Sequence, residues 1–344
     1  MTGAPDRATR LARRPAVPES QPGRTTITHA TLAAQGSRSA DLDKRIYLLA
    51  SIAFVVGLVE LIIGGILDLV AQDLGVSVGR AGLLITVFAL VFGLSGPVLL
   101  FLAGHADRKR VTLVALLVFI LGNLIAVVGT TYGALMLSRV VSAASGALLT
   151  VLALALASHI AQPGHRGRAI GLVVMGISAA LVVGLPIGVL MGHAYGWRSP
   201  FILVAVLAML LIGGVSAFFG SVPIRPPAPL KRQLQALRNG KVLFGQLTTF
   251  FFLAGHFTLY GYLTPFVIAT MAFGGTLVTL VYFVYGAAAV TGGGLAGISA
   301  DKFGPRRTLL TVIVLLCACL LIIPSTTGVP ALFWVVLAIW GVLT

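Results

Sequence analysis

Charge is scarce in this sequence. Asp, Glu, Lys and Arg together make up 10% of its 344 residues, where a soluble globular chain runs nearer a quarter. That scarcity excludes an ordinary soluble enzyme. Cysteine is nearly absent too: Cys317 and Cys319 are the only two, and two apart on a helix they point in different directions and cannot be bridged. There is no HExxH, no Walker lysine loop, no serine elbow and no metal-ligating cluster. Metal-assisted hydrolysis and acyl transfer therefore lack their residues, and the missing phosphate loop argues against an ATP-driven pump. A short apolar core near the start, which a secretory signal requires, is also missing. Acidic residues number nine against 24 Lys and Arg, a net charge of +15. Nucleic-acid binding does not follow, because the basic residues lie between apolar runs and form no basic domain with interleaved aromatics.

What fills the chain is apolar: 58% of its residues, with a mean hydropathy of +1.04. That is too much for one core, and it is gathered into long runs, so lipid must be the solvent for much of the surface. Residues 1–45 are the exception, with eight Arg/Lys, four Pro and no apolar stretch. They read as a disordered basic tail, with an Arg-rich transit peptide as the competing reading. Ten apolar runs follow, roughly 46–70, 81–103, 111–130, 133–158, 169–191, 200–220, 242–268, 276–299, 308–324 and 329–344. A helix needs about 20 residues to cross a bilayer core. The first eight runs meet or approach that length and the ninth is slightly short. The tenth spans about 24 Å at 1.5 Å per residue, so the sequence stops inside, or at the edge of, a membrane span.

Loop charge orients these spans. With a cytoplasmic N-terminus, the inner segments are 1–45, 104–110, 159–168, 221–241 and 300–307, and they hold 21 of the 24 Arg/Lys. Only Arg80 and Arg198 fall in outer loops, and Arg139 lies within a span. The positive-inside rule is met by every inner segment. An internal repeat supports the same register. Gly104 through Asp107, Arg108 and Arg110 follow the second span, and Gly297 through Asp301, Arg306 and Arg307 follow the eighth. A spacing of six helices suits a transporter of two parallel six-helix halves. Gly292, Gly294 and Gly297 satisfy G-x-G-x-x-G, but a long apolar run precedes them where a dinucleotide site needs a strand. They read as helix packing.

Several stretches resemble the major facilitator superfamily, specifically its bacterial drug- and sugar-efflux branch of proton antiporters. They are Phe54 to Gly57 with Glu60, then Asp73 to Ser77; the two basic turns; and Leu137-Ser138-Arg139 in the fourth span. They continue with Gly184-Leu185-Pro186-Ile187-Gly188 through Gly192 in the fifth span, and Gly255-His256-Phe257 with Tyr260 to Pro265 in the seventh. Ala143 stands where the fourth-helix motif has glycine, and the first basic turn is one residue short. The resemblance implies an all-α integral membrane fold of twelve helices, of which this sequence supplies not quite ten and is therefore C-terminally truncated. It divides the chain into a six-helix bundle at 46–220, a cytoplasmic linker at 221–241 and an incomplete bundle of about four helices at 242–344. It also makes Asp107, Arg108, Arg110, Asp301, Arg306 and Arg307 conformational latches, with a neighbour for Asp107 on the eleventh helix.

The residues themselves suggest where work is done. Glu60 lies about 21 Å along the first span, near mid-membrane, where a carboxylate survives only if protonated, paired or facing water. Gly57 and Gly64 share its face, so that face meets a helix or a cavity. It is the candidate proton-coupling group, against a bland reading as a neutral acid bonded to a carbonyl. Arg139 enters about 9 Å deep; it partners Glu60 or an anionic substrate group, or else snorkels to the interface. His256, Tyr260 and Tyr262 give the seventh span a polar, aromatic face suited to a substrate cavity, or to interhelical hydrogen bonds. Pro265 permits a break near its outer end. Gly176, Ala180, Gly184, Gly188 and Gly192 recur every four residues as one unbroken small stripe, with Pro186 a kink point.

The expectation is a secondary transporter, not an enzyme, exporting drugs or sugars in exchange for protons by alternating access. An uncoupled facilitator and a truncated, non-transporting remnant are the competing readings. Its partners would be the lipid bilayer and a small-molecule substrate, with no nucleic acid and no cofactor beyond the proton, as a monomer in the cell membrane.

Overall fold

A computed structural model describes residues 43–104, 106–162, 165–220, 235 and 238–344. The tail expected at 1–45 and the linker at 221–241 lie almost wholly outside the described residues. Asp43 to Thr344 forms one compact unit, and it is helical nearly throughout. In order the helices are α1 (Lys44–Gly65), α2 (Leu67–Asp73), α3 (Val78–Leu102), α4 (Arg108–Val128), α5 (Tyr132–Ile160), α6 (Arg166–Ala179) and α7 (Leu185–Tyr195). Then come α8 (Ser199–Phe218), α9 (Gly240–Tyr260), α10 (Leu263–Met271), α11 (Gly275–Phe303), α12 (Pro305–Ile322) and α13 (Pro330–Val342). Among the described residues, nine helices are long and apolar enough to cross a membrane, the fifth being α6 and α7 together; α13 is shorter. In lipid a helix satisfies its own backbone, which is why long apolar runs take this form.

Side chains set several helix starts. Asp43 accepts from Arg45 N, Ser77 from Arg80 N, Asp107 from Lys109 N and Arg110 N, Thr131 from Ala134 N, and Asn239 from Lys241 N. Each closes an amide left open in the first turn. Two hydrogen-bonded clusters show which loops share an end. Lys109 Nζ donates to Ser216 O at 2.8 Å, joining the 104–110 turn to the end of α8: this is the basic end. At the far end Arg198 donates to Asp73 Oδ2 at 2.9 Å and to Gly129 O at 3.1 Å, while Trp197 Nε1 donates to Asp73 Oδ2 at 2.8 Å. One guanidinium thus ties three far-end loops.

That clamp lies outside the spans and gives a pH prediction. The Trp197 indole, then Arg198, hold the Asp73 carboxyl below its ordinary value. Its stabilisation is therefore present above the unfolded value of about 4 and lost as pH falls through the lower folded one. Exposure of both partners limits the effect to about 1 kcal/mol or less. Thermal midpoints should separate parent from Asp73→Asn at pH 7 and converge below about pH 4; a constant difference down to pH 3 would refute the clamp.

The first span is the hub. It is the most buried of the nine, 61% of its apolar stretch against 6% for α9, and it packs on α3, α5, α6, α7 and α8. The small stripe makes this contact. A Cβ at Gly176 would strike Ala50 O; at Gly184 it would meet Phe54 and Leu58, at Gly188 Ile62, and at Gly192 Ile66. Ala180 Cβ lies against Gly57. Ala50, Phe54, Leu58, Ile62 and Ile66 are themselves four apart, so a ridge seats in a groove of small residues. The stripe is not carried on one uniform α-helix, however. Ala180–Gly184 is a π-turn, and Pro186, which has no amide for the Val182 carbonyl, lies two residues beyond it.

Two apolar runs are also broken. The first is interrupted at Ile66, with φ −122° and ψ 21°, so Asp68 sits on the separate α2. The seventh breaks at Gly261-Tyr262 rather than at Pro265. The reason is the proline rule: Pro265 leaves the carbonyl four residues earlier, on Gly261, without a donor.

Candidate functional site

Four of the singled-out residues converge. Glu60 is half-buried on α1 and makes no hydrogen bond or ion pair with the described residues. It is near enough to both Arg139 and Tyr260 to act on them electrostatically. Arg139 is fully buried on α5. Its Nη1 donates to Val59 O at 2.9 Å, and its guanidinium lies 4.0 Å from the Phe88 ring centroid. The cation–π contact, about 2 kcal/mol when desolvated, and the carbonyl beside Glu60 hold it inside. This corrects the snorkelling expectation: the side chain turns inward because an acceptor and a ring lie there. Arg139 acts on Glu60 electrostatically, without a contact at ion-pair distance among the described residues. Arg139 Nε and Nη2 and the hydroxyls of Ser138 and Ser142 are buried without partners.

Tyr260 belongs to an aromatic cluster. His256 and Tyr260, the two residues that α9 buries, stack at 5.2 Å between centroids. Tyr285 of α11 lies 5.2 Å from Tyr260 and 5.0 Å from Trp340 of α13, and Trp340 lies 5.5 Å from His256. Tyr282 abuts Tyr260 at 5.7 Å. Tyr285 OH pairs with Thr344 Oγ1 and lies 3.5 Å from His256 Nε2. Tyr260 OH, His256 Nδ1 and Trp340 Nε1 are buried without a partner. These three place polar atoms at the rims of the clustered rings. Sequence reading missed Tyr282, Tyr285 and Trp340. The i, i+3 tyrosine pair on one face of an otherwise apolar run was the available signal.

Other expectations land elsewhere. Tyr262 is outside the cluster: it is part-exposed at the far end, with its hydroxyl packed against Gly82, because the Gly261 break turns the chain there. Asp107 caps α4, while Arg108 is buried and Arg110 exposed. Arg306 and Arg307 are exposed, and Arg307 lines an open cleft of about 450 Å³ with Gly292, Ser299, Phe303, Leu315 and Val342. That cleft is at the basic end and includes none of the clustered residues. The Asp301 side chain lies outside the described residues. Gly292 packs against the backbone of Val342, a helix contact.

The seam between the first six spans and the helices α9 to α13 is closed toward the far end. Thr264 Oγ1 donates to Gly65 O at 3.1 Å and Tyr282 OH to Gly64 O at 3.3 Å. Gly64 meets Gly261, Gly275 meets the His193 ring, and at mid-span Gly286 meets Val182 in the π-turn. All the cross-seam hydrogen bonds and close glycine contacts among the described residues lie between mid-span and this end.

A family model for the Major Facilitator Superfamily matches residues 49–344. The chain belongs to the Major Facilitator Superfamily. It is thus a multi-pass membrane transporter and not an enzyme. An uncharacterised MFS-type transporter, YbcL of Bacillus subtilis (strain 168), is 38% identical over 300 residues, covering 86% of this chain and 76% of the relative. A probable sugar efflux transporter of Pasteurella multocida (strain Pm70) is 29% identical, covering 87% and 74%. Among solved structures, a bacterial homologue of the human lysosomal transporter Spinster, inward-facing and unoccupied, superposes with a TM-score of 0.68 at 18% identity, covering 87% and 73%. The D-xylose–proton symporter superposes with a TM-score of 0.68 at 16% identity, covering 87% and 79%. These superpositions establish the fold of this superfamily member.

Proposed function

We propose that this chain exports small polar ring compounds, sugars before drugs, in exchange for protons, with Glu60 carrying the proton. The observation behind this reading is the setting of Glu60: a half-buried carboxyl without a bonded partner among the described residues, acting electrostatically on both a buried guanidinium and a polar aromatic cluster. A mid-membrane carboxylate is costly unless it can be neutralised, so a proton taken and released there has a large effect on the surrounding bundle. Aromatic faces with unpaired donors and acceptors at their rims suit a ring that stacks through C–H faces and bonds through hydroxyls. The probable sugar efflux transporter of Pasteurella multocida supports sugars over hydrophobic cations. A closed far seam supports alternating access, with one half rocking against the other.

Inverted vesicles carrying the chain test this with a panel of pentoses, hexoses and one lipophilic cation. Accumulation of a sugar with a pH gradient, and mere equilibration without one, is the expected result. Mere equilibration in both conditions would replace exchange with uncoupled facilitation, and accumulation of the cation alone would replace sugars with drugs. The proposed orientation places the basic end in the cytoplasm of the cell membrane. In a chain freed of Cys317 and Cys319, an impermeant thiol reagent added to intact cells should label Ala194→Cys and spare Lys302→Cys. The reverse pattern would invert the orientation.

A further inference from the structure

The break in the first span supplies the seam with acceptors. The last four carbonyls of a helix have no partner inside it. In α1 they belong to Ile62, Ile63, Gly64 and Gly65. The Ile66 amide donates to the first two. The other two accept from across the seam. Tyr282 OH of α11 donates to Gly64 O at 3.3 Å, and Thr264 Oγ1 of α10 donates to Gly65 O at 3.1 Å. The two hydroxyls lie 3.0 Å apart, and both residues are fully buried. Small residues allow this approach: Gly64 meets the Gly261 backbone, and Gly65 lies against the Tyr282 ring. Tyr282 has a second neighbour. Its ring stands edge-on to Tyr260 at 5.7 Å and 81°, and Tyr260 stacks on His256. One side chain thus touches both the aromatic cluster and the seam.

We propose that Tyr282 is a positioning residue for transport: its hydroxyl, with that of Thr264, holds the far mouth shut, and its ring lets the aromatic cluster release that hold. The sign follows from the two carbonyls. With the far mouth closed no water reaches them, and a buried carbonyl without a donor is costly. With it open, water takes the place of both hydroxyls. Removing either hydroxyl therefore penalises the closed form alone. A ligand that displaces Tyr260 disturbs the edge contact that orients the Tyr282 ring, and so weakens the hold from the cluster side. The coupling rests on the cluster being the binding surface of the proposed function, whereas the hold itself requires neither a sugar nor a proton.

Spin labels at Ala194→Cys and Gly274→Cys, on opposite sides of the seam and both exposed, read the far mouth in nanodiscs after Cys317 and Cys319 are replaced by serine. No transported compound is present, so a failed sugar panel strikes the proposed function and not the hold on the seam. A short-distance population should dominate in the parent. Tyr282→Phe keeps the ring and should lower the ratio of short to long distances about tenfold, the effect of one buried acceptor left unpaired. Thr264→Val should act in the same direction, while Thr264→Ser, which keeps a hydroxyl, should match the parent. Tyr260→Leu stands in for a displaced ring. It should lower the ratio in the parent but not in a Tyr282→Phe chain, where the hold is already lost. Tyr260→Phe, which keeps the edge contact, should lower it in neither. Parental distances in Tyr282→Phe overturn the hold, as does a Thr264→Ser chain that behaves like Thr264→Val. A Tyr260→Leu shift that is absent from the parent, or equal with and without the Tyr282 hydroxyl, overturns the coupling.

Discussion

Glu60→Gln is expected to abolish gradient-driven accumulation while sparing substrate binding. The amide keeps the size and the hydrogen-bonding capacity of the protonated acid, so the surroundings of Arg139 and Tyr260 change little. What is lost is titration. For one proton exchanged per substrate, a gradient of one pH unit sustains about tenfold accumulation, the equivalent of about 1.4 kcal/mol. The Gln chain should bring that ratio to about one, the equilibrium value for uncoupled movement. Binding measured at equilibrium separates coupling from a damaged site: affinity should stay near that of the parent. A Gln chain that still concentrates substrate against its gradient would remove Glu60 from the mechanism, whatever its burial.

The second large effect is on stability, at the groove that seats the first span. Gly176→Val is expected to lower stability by about 3 kcal/mol, because the first added carbon already collides with the Ala50 carbonyl. That neighbour is backbone, on the most buried span, and cannot swing aside as a side chain would. Gly171, on the same helix, is exposed, and a Cβ there meets nothing within 4 Å. Gly171→Ala should therefore be neutral or stabilising by about 0.5–1 kcal/mol, the helix-propensity difference. Thermal midpoints in one detergent compare the two. If both substitutions shift the midpoint alike, the groove does not depend on the contact at Gly176.

How far the sequence could be read depended on which physical constraint was at work. The run from 111 to 130 became Arg108–Val128, and that from 200 to 220 became Ser199–Phe218, because a polar backbone in lipid has no alternative to the helix. The groove at Gly176, Gly184 and Gly188 was legible for a similar reason: small residues at four-residue intervals serve close approach and little else. Direction was harder to read. A helix in a bilayer is apolar around most of its circumference, so the periodicity that marks the core face of a soluble helix is weak. In the run 276–299 only the i, i+3 spacing of Tyr282 and Tyr285 signalled a polar face, without saying that it meets Tyr260, and nothing in 329–344 assigned Trp340 to the same cluster.

Arg139 shows the limit most clearly. Its depth could be counted along the chain, and a side chain of that length reaches either the interface or the interior. Only the placement of the Val59 carbonyl and the Phe88 ring, 80 and 51 positions earlier in the sequence, turned it inward. The break at Ile66 likewise has no proline behind it, and lies beside the contact of Gly64 with Gly261. By itself the sequence determined a polytopic membrane transporter, its spans and the resemblance to its superfamily, because hydropathy, helix length and loop composition are local properties of a chain. The tertiary structure alone decided which buried polar groups share a centre and which end of the seam is closed. Those depend on helix rotation about its own axis, which lipid leaves almost free and only packing against other helices selects.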